Sequence, residues 1–212
     1  MRIARILYPV TVLGPGKRIA IWAAGCSKRC QGCANPELWE GQAYPEIELH
    51  QLKAALDALF EKAEGQVDGI TISGGEPFEQ AEELFQLVSY LKEKTEDILI
   101  FSGRKREELL QDMVSSCILN EIAVLVDGAY IESQNEGEVL RGSQNQTIHI
   151  LDENVRQTYD TYLAENKGKH LVENFRVSDG VIAVGIHKKD FKQALKECLE
   201  KKHMNVITKC NT

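Results

Sequence analysis

The sequence predicts an α/β fold built on a parallel sheet. Three observations carry that expectation. Short apolar runs of strand length alternate with stretches of helical periodicity. The connections between them are short. Four polar, glycine-containing loops each follow a predicted strand directly, at the carboxyl ends where open α/β sheets collect their functional groups.

Taken in order, a strand is expected over 3–8. The Gly14-Pro15-Gly16 turn and a strand over 18–24 follow. Leu52, Ala55, Leu56, Leu59 and Phe60 recur at helical spacing and predict an amphipathic helix over 47–63. A short apolar strand is expected over 69–73. Ala81, Leu84, Phe85, Val88 and Leu91 then mark a second helix. A strand over 98–101, a helix over 105–114 and strands over 122–126 and 147–151 complete a core spanning 1–151. From 152 the character changes. A polar helix fits 152–166, and a hairpin fits 171–186, turning at Ser178-Asp179-Gly180. Phe191, Ala194, Leu195, Cys198 and Leu199 share one helical face, and a last strand is expected over 204–208. Residues 152–212 therefore read as a small α+β extension packed on the core.

Composition narrows the function. Of 212 residues, 43% are hydrophobic, enough for a real core, and 27% are charged. The net charge of −7 argues against a nucleic-acid scaffold, because phosphate binding needs a basic surface. The apolar runs 19–24 and 122–126 are far too short to cross a bilayer. The N-terminus begins a strand pattern rather than a secretory signal, so a cytoplasmic location is expected.

Six cysteines occur, at 26, 30, 33, 117, 198 and 210. A disulfide framework is not expected in a cytosolic chain of this size. Cys26, Cys30 and Cys33 crowd into one loop with C-x3-C-x2-C spacing. Thiolates are soft ligands that suit iron–sulfur clusters, zinc or copper. Three of them can hold three corners of a four-iron cubane and leave the fourth iron open. The competing readings are a zinc knuckle completed by His50 or Cys117, and a set of inert cysteines. The first lacks paired spacing, and the second sits poorly beside Lys28, Arg29 and Gln31. Cys117 and Cys198 are expected in the core, and Cys210 as an exposed thiol. His149, His170 and His187 have no spacing partner and are assigned no catalysis.

At this motif a resemblance becomes specific. C-x3-C-x2-C is the cluster signature of the radical-SAM superfamily. Within it the chain resembles the activating enzyme of anaerobic (class III) ribonucleotide reductase. The similarity runs in order through Tyr8-Pro9-Val10, Gly14-Pro15-Gly16, Gly25 with the three cysteines, Gly32 and Asn35. It continues through Ser73-Gly74-Gly75-Glu76-Pro77, Ser102-Gly103, Val124-Leu125-Val126-Asp127-Gly128 and Arg141-Gly142-Ser143-Gln144-Asn145-Gln146. Gly32 stands where many broader radical-SAM proteins carry an aromatic residue, a departure that favours the activase branch.

The resemblance implies a partial βα barrel of radical-SAM type and a [4Fe–4S] cluster on Cys26, Cys30 and Cys33. It implies an oxidoreductase that reductively splits S-adenosylmethionine (SAM) into methionine and a 5′-deoxyadenosyl radical. That radical takes a hydrogen from a glycine of the partner reductase, under anaerobic conditions, with electrons from a flavodoxin or ferredoxin. It also implies that Gly74, Gly75 and Glu76 approach the SAM ammonium and that Ser102 belongs to a SAM-contacting loop. Each residue has a local reading as well. The glycines allow close approach of a ligand. Ser102 can cap the following helix. Asp127, at a strand end, can accept from ribose hydroxyls or brace a turn. Arg141 can bind a carboxylate or order its loop, since its planar fork suits that job.

The family's simple members end near the Arg-Gly-Ser-x-Asn-Gln segment, whereas this chain continues for about sixty residues, which opens the question of its substrate. A primary carbon radical needs a closed site. A small incomplete sheet leaves a side that a large partner can cover. The alternatives are a radical enzyme acting directly on a peptide or small molecule, and a non-catalytic iron–sulfur or zinc module. The Gly74-Gly75-Glu76-Pro77 loop speaks against the last.

Overall fold

The computed structural model describes residues 1–177, 180–188, 191, 193–195 and 197. Its framework is one six-stranded sheet: β1 (Ile3–Val10), β2 (Arg18–Ala23), β3 (Gly69–Gly74), β4 (Ile98–Ser102), β5 (Val124–Asp127) and β6 (Thr147–Ile150), lying side by side in chain order. The pairs β2–β3, β3–β4 and β4–β5 are parallel. The two edge pairs, β1–β2 and β5–β6, are antiparallel. The all-parallel expectation therefore holds for the four central strands alone. The link from β1 to β2 (residues 11–17) is too short for a helical crossover, whereas the link from β5 to β6 (128–146) is long enough but carries no α-helix, and both edge strands return antiparallel.

Helices fill the long connections: α1 (Leu49–Lys62), α2 (Ala81–Lys92), α3 (Arg106–Leu109) and α4 (Met113–Glu121). The helix expected over 105–114 is corrected to two. Asp112 ends the first turn and starts α4 by accepting from the Ser115 backbone N–H at 2.8 Å. This also corrects Cys117, which lies on the exposed side of α4 while Ile118 and Leu119 face the core. At α1, Glu48 and Gln51 form a reciprocal capping box.

Alternation along the strands sends their side chains to two faces. Ile19, Ile21, Ile70, Ile72, Ile98 and Ile100 pack against Leu52 and Leu56 of α1, Leu84, Leu87, Val88 and Leu91 of α2, and Ile118 of α4. Each such side chain, fully buried, contributes about 1.5–3 kcal/mol. The opposite face is covered by the C-terminal segment. This comprises α5 (Arg156–Glu165) and the hairpin of β7 (Val172–Val177) and β8 (Gly180–Gly185). Tyr159 and Leu163 of α5 pack with Leu99, Val124 and Val126. Val184, Ile182 and Phe175 of the hairpin pack with Val10, Ala20 and Trp22. Cys198 and Leu199 of the helical face begun at Phe191, Cys210 and the strand expected over 204–208 lie outside the described residues.

At the amino ends of the strands, Arg18 is completely buried. All of its donors are used. Nε donates to Thr71 Oγ1 at 2.7 Å, Nη1 to Pro15 O and Asp97 Oδ2, and Nη2 to Ile70 O and Asp97 Oδ1. The Tyr159 hydroxyl adds a bond to Asp97 Oδ1 at 2.7 Å. This network pins β2, β3, β4 and α5 together at one end and leaves the other end for the site. No helix among the described residues is long and apolar enough to cross a membrane.

Candidate iron–sulfur site

At the carboxyl ends of β2 to β5 lies a cavity of about 260 Å³. Cys26, Cys30 and Cys33 stand on its wall, each half-buried. So do Gly74, Gly75 and Glu76 after β3, Ser102 and Gly103 after β4, and Gly128 after β5. The four loops that the sequence placed at strand ends thus meet at one opening.

The cysteine loop is fixed at both ends. The Gly25 N–H donates to Leu38 O at 2.7 Å and the Cys26 N–H to Trp39 O at 3.1 Å. Glu79 accepts from the Ser27 N–H and hydroxyl at 2.7 and 2.5 Å. Arg29 takes the left-handed conformation, φ 45°, and pairs with Glu40. Gly75 has to be glycine, because a Cβ there would lie 2.1 Å from Gly25 O. The glycine loop and the cysteine loop are therefore in backbone contact, and the Glu76 N–H donates to Gly25 O at 2.7 Å.

Behind that contact sits Glu76, 1% exposed. Its carboxylate accepts from the Ser102 hydroxyl at 2.9 Å, the Gly103 N–H at 2.7 Å and the Phe78 N–H at 3.2 Å. Burial pushes its pKa up, and these bonds pull it back. Glu76 and Ser102 are thus partners of each other and join the ends of β3 and β4.

Asp127 and Arg141 stand behind the wall rather than on it. Asp127, buried, accepts from the Arg106 N–H at 2.6 Å, with His149 Nε2 3.2 Å from the same oxygen but not aligned for a hydrogen bond. It thus starts α3. Arg141 pairs with Glu138 and reaches Gln146 O at 3.4 Å, so it orders its own loop. From that segment Gly142 and Gln146 line the cavity instead. Gln146 accepts from the Gly142 N–H and donates to Gly128 O, both at 2.7 Å, closing the loop onto the end of β5.

Several wall residues went unread in the sequence: Trp39, Phe101, Tyr130, Glu132, Asn135 and the run 185–188. Trp39 and Tyr130 each follow a motif by a few residues, which is the one local signal they carry. For 185–188 no local signal exists, since tertiary packing alone brings the hairpin end there.

The donor set fits an iron–sulfur cluster. Three soft thiols share one wall, and the Asn35 N–H points at Cys33 Sγ from 3.4 Å. Trp39 adds an indole N–H that is buried without a hydrogen-bond partner among the described residues. Such N–H groups are the donors that cluster sulfurs accept from. Burial raises the Cys26 thiol pKa, against the pull of the Arg29 and Lys28 backbone N–H groups. Among the described residues no three His, Cys, Asp or Glu side chains come together tightly enough for a single metal ion. Neither His50 nor Cys117, the candidate fourth ligands of a zinc knuckle, lies on the cavity wall.

Comparison with known proteins agrees with the donor chemistry. The family model described as a 4Fe-4S single cluster domain matches residues 12–149. The anaerobic ribonucleoside-triphosphate reductase-activating protein of Vibrio cholerae is 33% identical over 151 residues, covering 67% of this chain and 94% of that protein. The chain belongs to this family of activating proteins. The Haemophilus influenzae member is 32% identical over 151 residues, with the same coverage. The enterobacteria phage T4 member is 29% identical over 147 residues, covering 67% of this chain and 90% of its own length. The family model's match ends at residue 149, so α5 and the hairpin lie outside it.

Proposed function

We propose that the chain is a radical-SAM activating enzyme acting on an anaerobic ribonucleotide reductase. The observation that carries this reading is the meeting of three thiols and the β3, β4 and β5 loops in one cavity. Cys26, Cys30 and Cys33 would hold the cluster. Once bound, the cluster would supply the electron for reductive cleavage of SAM, and the 5′-deoxyadenosyl radical so formed would take a hydrogen from a glycine of the reductase.

The chain's own residues do the positioning. Gly74 and Gly75 bare the backbone next to the cysteine loop, where an ammonium can approach carbonyl oxygens. Glu76 and Ser102 act on the ligand indirectly, by locking the β3 and β4 ends at a fixed separation. Asp127 sets the start of α3, and Arg141 shapes the Gly142–Gln146 wall. Trp39, Phe101 and Tyr130 keep the cavity apolar, which excludes the water and loose hydrogen donors that would waste a radical.

The central strands run in one direction with α1, α2 and α4 on one face, and we read them as a partial βα barrel of radical-SAM type. We read 1–151 as that core and 152–212 as the extension, with a small redox protein such as flavodoxin or ferredoxin as electron donor.

The test is anaerobic reconstitution followed by reduction with SAM present. Methionine and 5′-deoxyadenosine should form. With the reductase added, a glycine-centred doublet should appear in its electron spin resonance spectrum. A cluster held by four protein ligands, or SAM left intact, overturns the reading. Deoxyadenosine together with a modified peptide or small molecule and no reductase radical redirects it to the direct-modification alternative.

A further inference from the structure

Part of the cavity wall comes from outside the shared domain. Residues 185–188, at the end of β8, line the cavity together with the loop that follows β5. The family match stops at 149. The alignments with the relatives take in 90% of the phage protein and 94% of the two bacterial ones, leaving little chain in them for a counterpart.

The placement is built rather than loose. Asn135, itself on the wall, donates from Nδ2 to the His187 carbonyl and to the Tyr130 hydroxyl, both at 2.9 Å. Two residues on, the Gly137 backbone runs so close to the extension that a Cβ there would lie 2.4 Å from His170 Cε1 and 3.3 Å from Lys188 Cγ. The His187 ring stacks on Phe191 with centroids 4.1 Å apart. Ile186 is half-buried, packed at the edge of the cluster that holds Val10, Ala20 and Trp22, and Lys188 is exposed. An exposed residue on a cavity wall stands at its mouth, so Lys188 puts a positive charge there.

The relatives align with this chain over 147 and 151 residues, nearly their whole length, so they carry the shared core with little else. An added wall therefore bears on what enters the cavity rather than on the chemistry inside. We propose that Ile186 and Lys188 are specificity-determining residues. They select an extended polypeptide segment of the reductase, with Ile186 packing on its backbone and Lys188 pairing with a carboxylate beside the reacting residue. This rests on the reading that a reductase is the substrate.

Binding tests it without any cluster chemistry. Affinity of the full chain, unloaded, for a purified anaerobic ribonucleoside-triphosphate reductase is measured by titration calorimetry. Lys188→Glu should raise Kd by at least about fivefold, since reversing a charge turns attraction into repulsion. Lys188→Arg should stay within about twofold of wild type, and Ile186→Ser should weaken binding. Val181→Ser, on the exposed edge of β8, serves as the control. Thermal unfolding monitors the hairpin, and if Lys188→Glu disrupts it, Lys188→Ala takes its place. Wild-type affinity in folded Lys188→Glu, or in Lys188→Ala where that replaces it, overturns the proposal, as does a wild-type chain that does not bind the reductase. A chain that binds the reductase in a Lys188-dependent way, yet leaves SAM intact when loaded and reduced, supports the added wall and defeats the radical reading instead.

Discussion

The Ser102 hydroxyl donates to the buried carboxylate of Glu76 at 2.9 Å, tying the carboxyl end of β4 to that of β3. Two of the residues that the sequence marks for the site therefore satisfy each other. Ser102→Ala removes one of the three donors to a desolvated charge. The expected loss is about 1.5–3 kcal/mol of stability, the range for hydrogen bonds to charged groups. Ser102→Thr keeps the hydroxyl and should lose far less. Urea unfolding of the three proteins compares them directly.

Glu76 also gives a pH dependence of known sign. Burial raises its folded pKa above the unfolded value near about 4.3. The folded state then holds the proton more tightly. Its contribution is full below about pH 4.3 and is lost as pH rises through the raised value. Glu76→Gln should remove that decline. The difference between wild-type and variant unfolding free energies, followed from pH 4 upward to about pH 8, should shift in favour of the variant.

The Arg18–Asp97 pair should be the most sensitive polar contact in the chain. Arg18→Met leaves Asp97 without its main partner, and removing one half of a buried pair costs about 3–5 kcal/mol. Tyr159→Phe deletes a single bond to the same carboxylate and should cost about 1.5–3 kcal/mol. Thermal and urea unfolding should rank the two in that order.

The cysteines should divide cleanly. Serine at position 26, 30 or 33 should each abolish most of the iron content and visible absorbance of reconstituted protein. Cys117→Ser should keep both, since Cys117 is exposed on α4 and absent from the cavity wall. Iron analysis and absorbance spectra on the four variants decide it.

Much of this molecule was legible in the chain. Strands β2 to β5 carry continuous apolar runs, and α1 and α2 carry one apolar stripe each, so periodicity finds them. The cysteine and glycine loops were found because strand ends are where such sheets collect chemistry. The 105–114 segment was misread because Asp112 reads as one more polar position until its cap to Ser115 is seen. Cys117 was misplaced for the same reason, since the face that it occupies depends on where α4 begins. Asp127 and Arg141 were recognised as special, yet composition cannot say whether a carboxylate faces a cavity or a helix start. The contribution of 185–188 was invisible, because it arises from contact across some fifty residues, as in the bond from Asn135 to the His187 carbonyl.

The bond from Tyr159 to Asp97 has an evolutionary consequence. An appended tail that only decorates a domain can be lost again by one stop codon. Here the phenol of the tail reaches the counter-ion of the domain's most deeply sunk charge, and its neighbours shelter Leu99, Val124 and Val126 from water. Shortening the gene to the length of its compact cousins would take one hydrogen bond from that carboxylate and lay bare one side of the sheet. Loss of the stretch would therefore carry a folding cost, separate from any role that it has at the cavity.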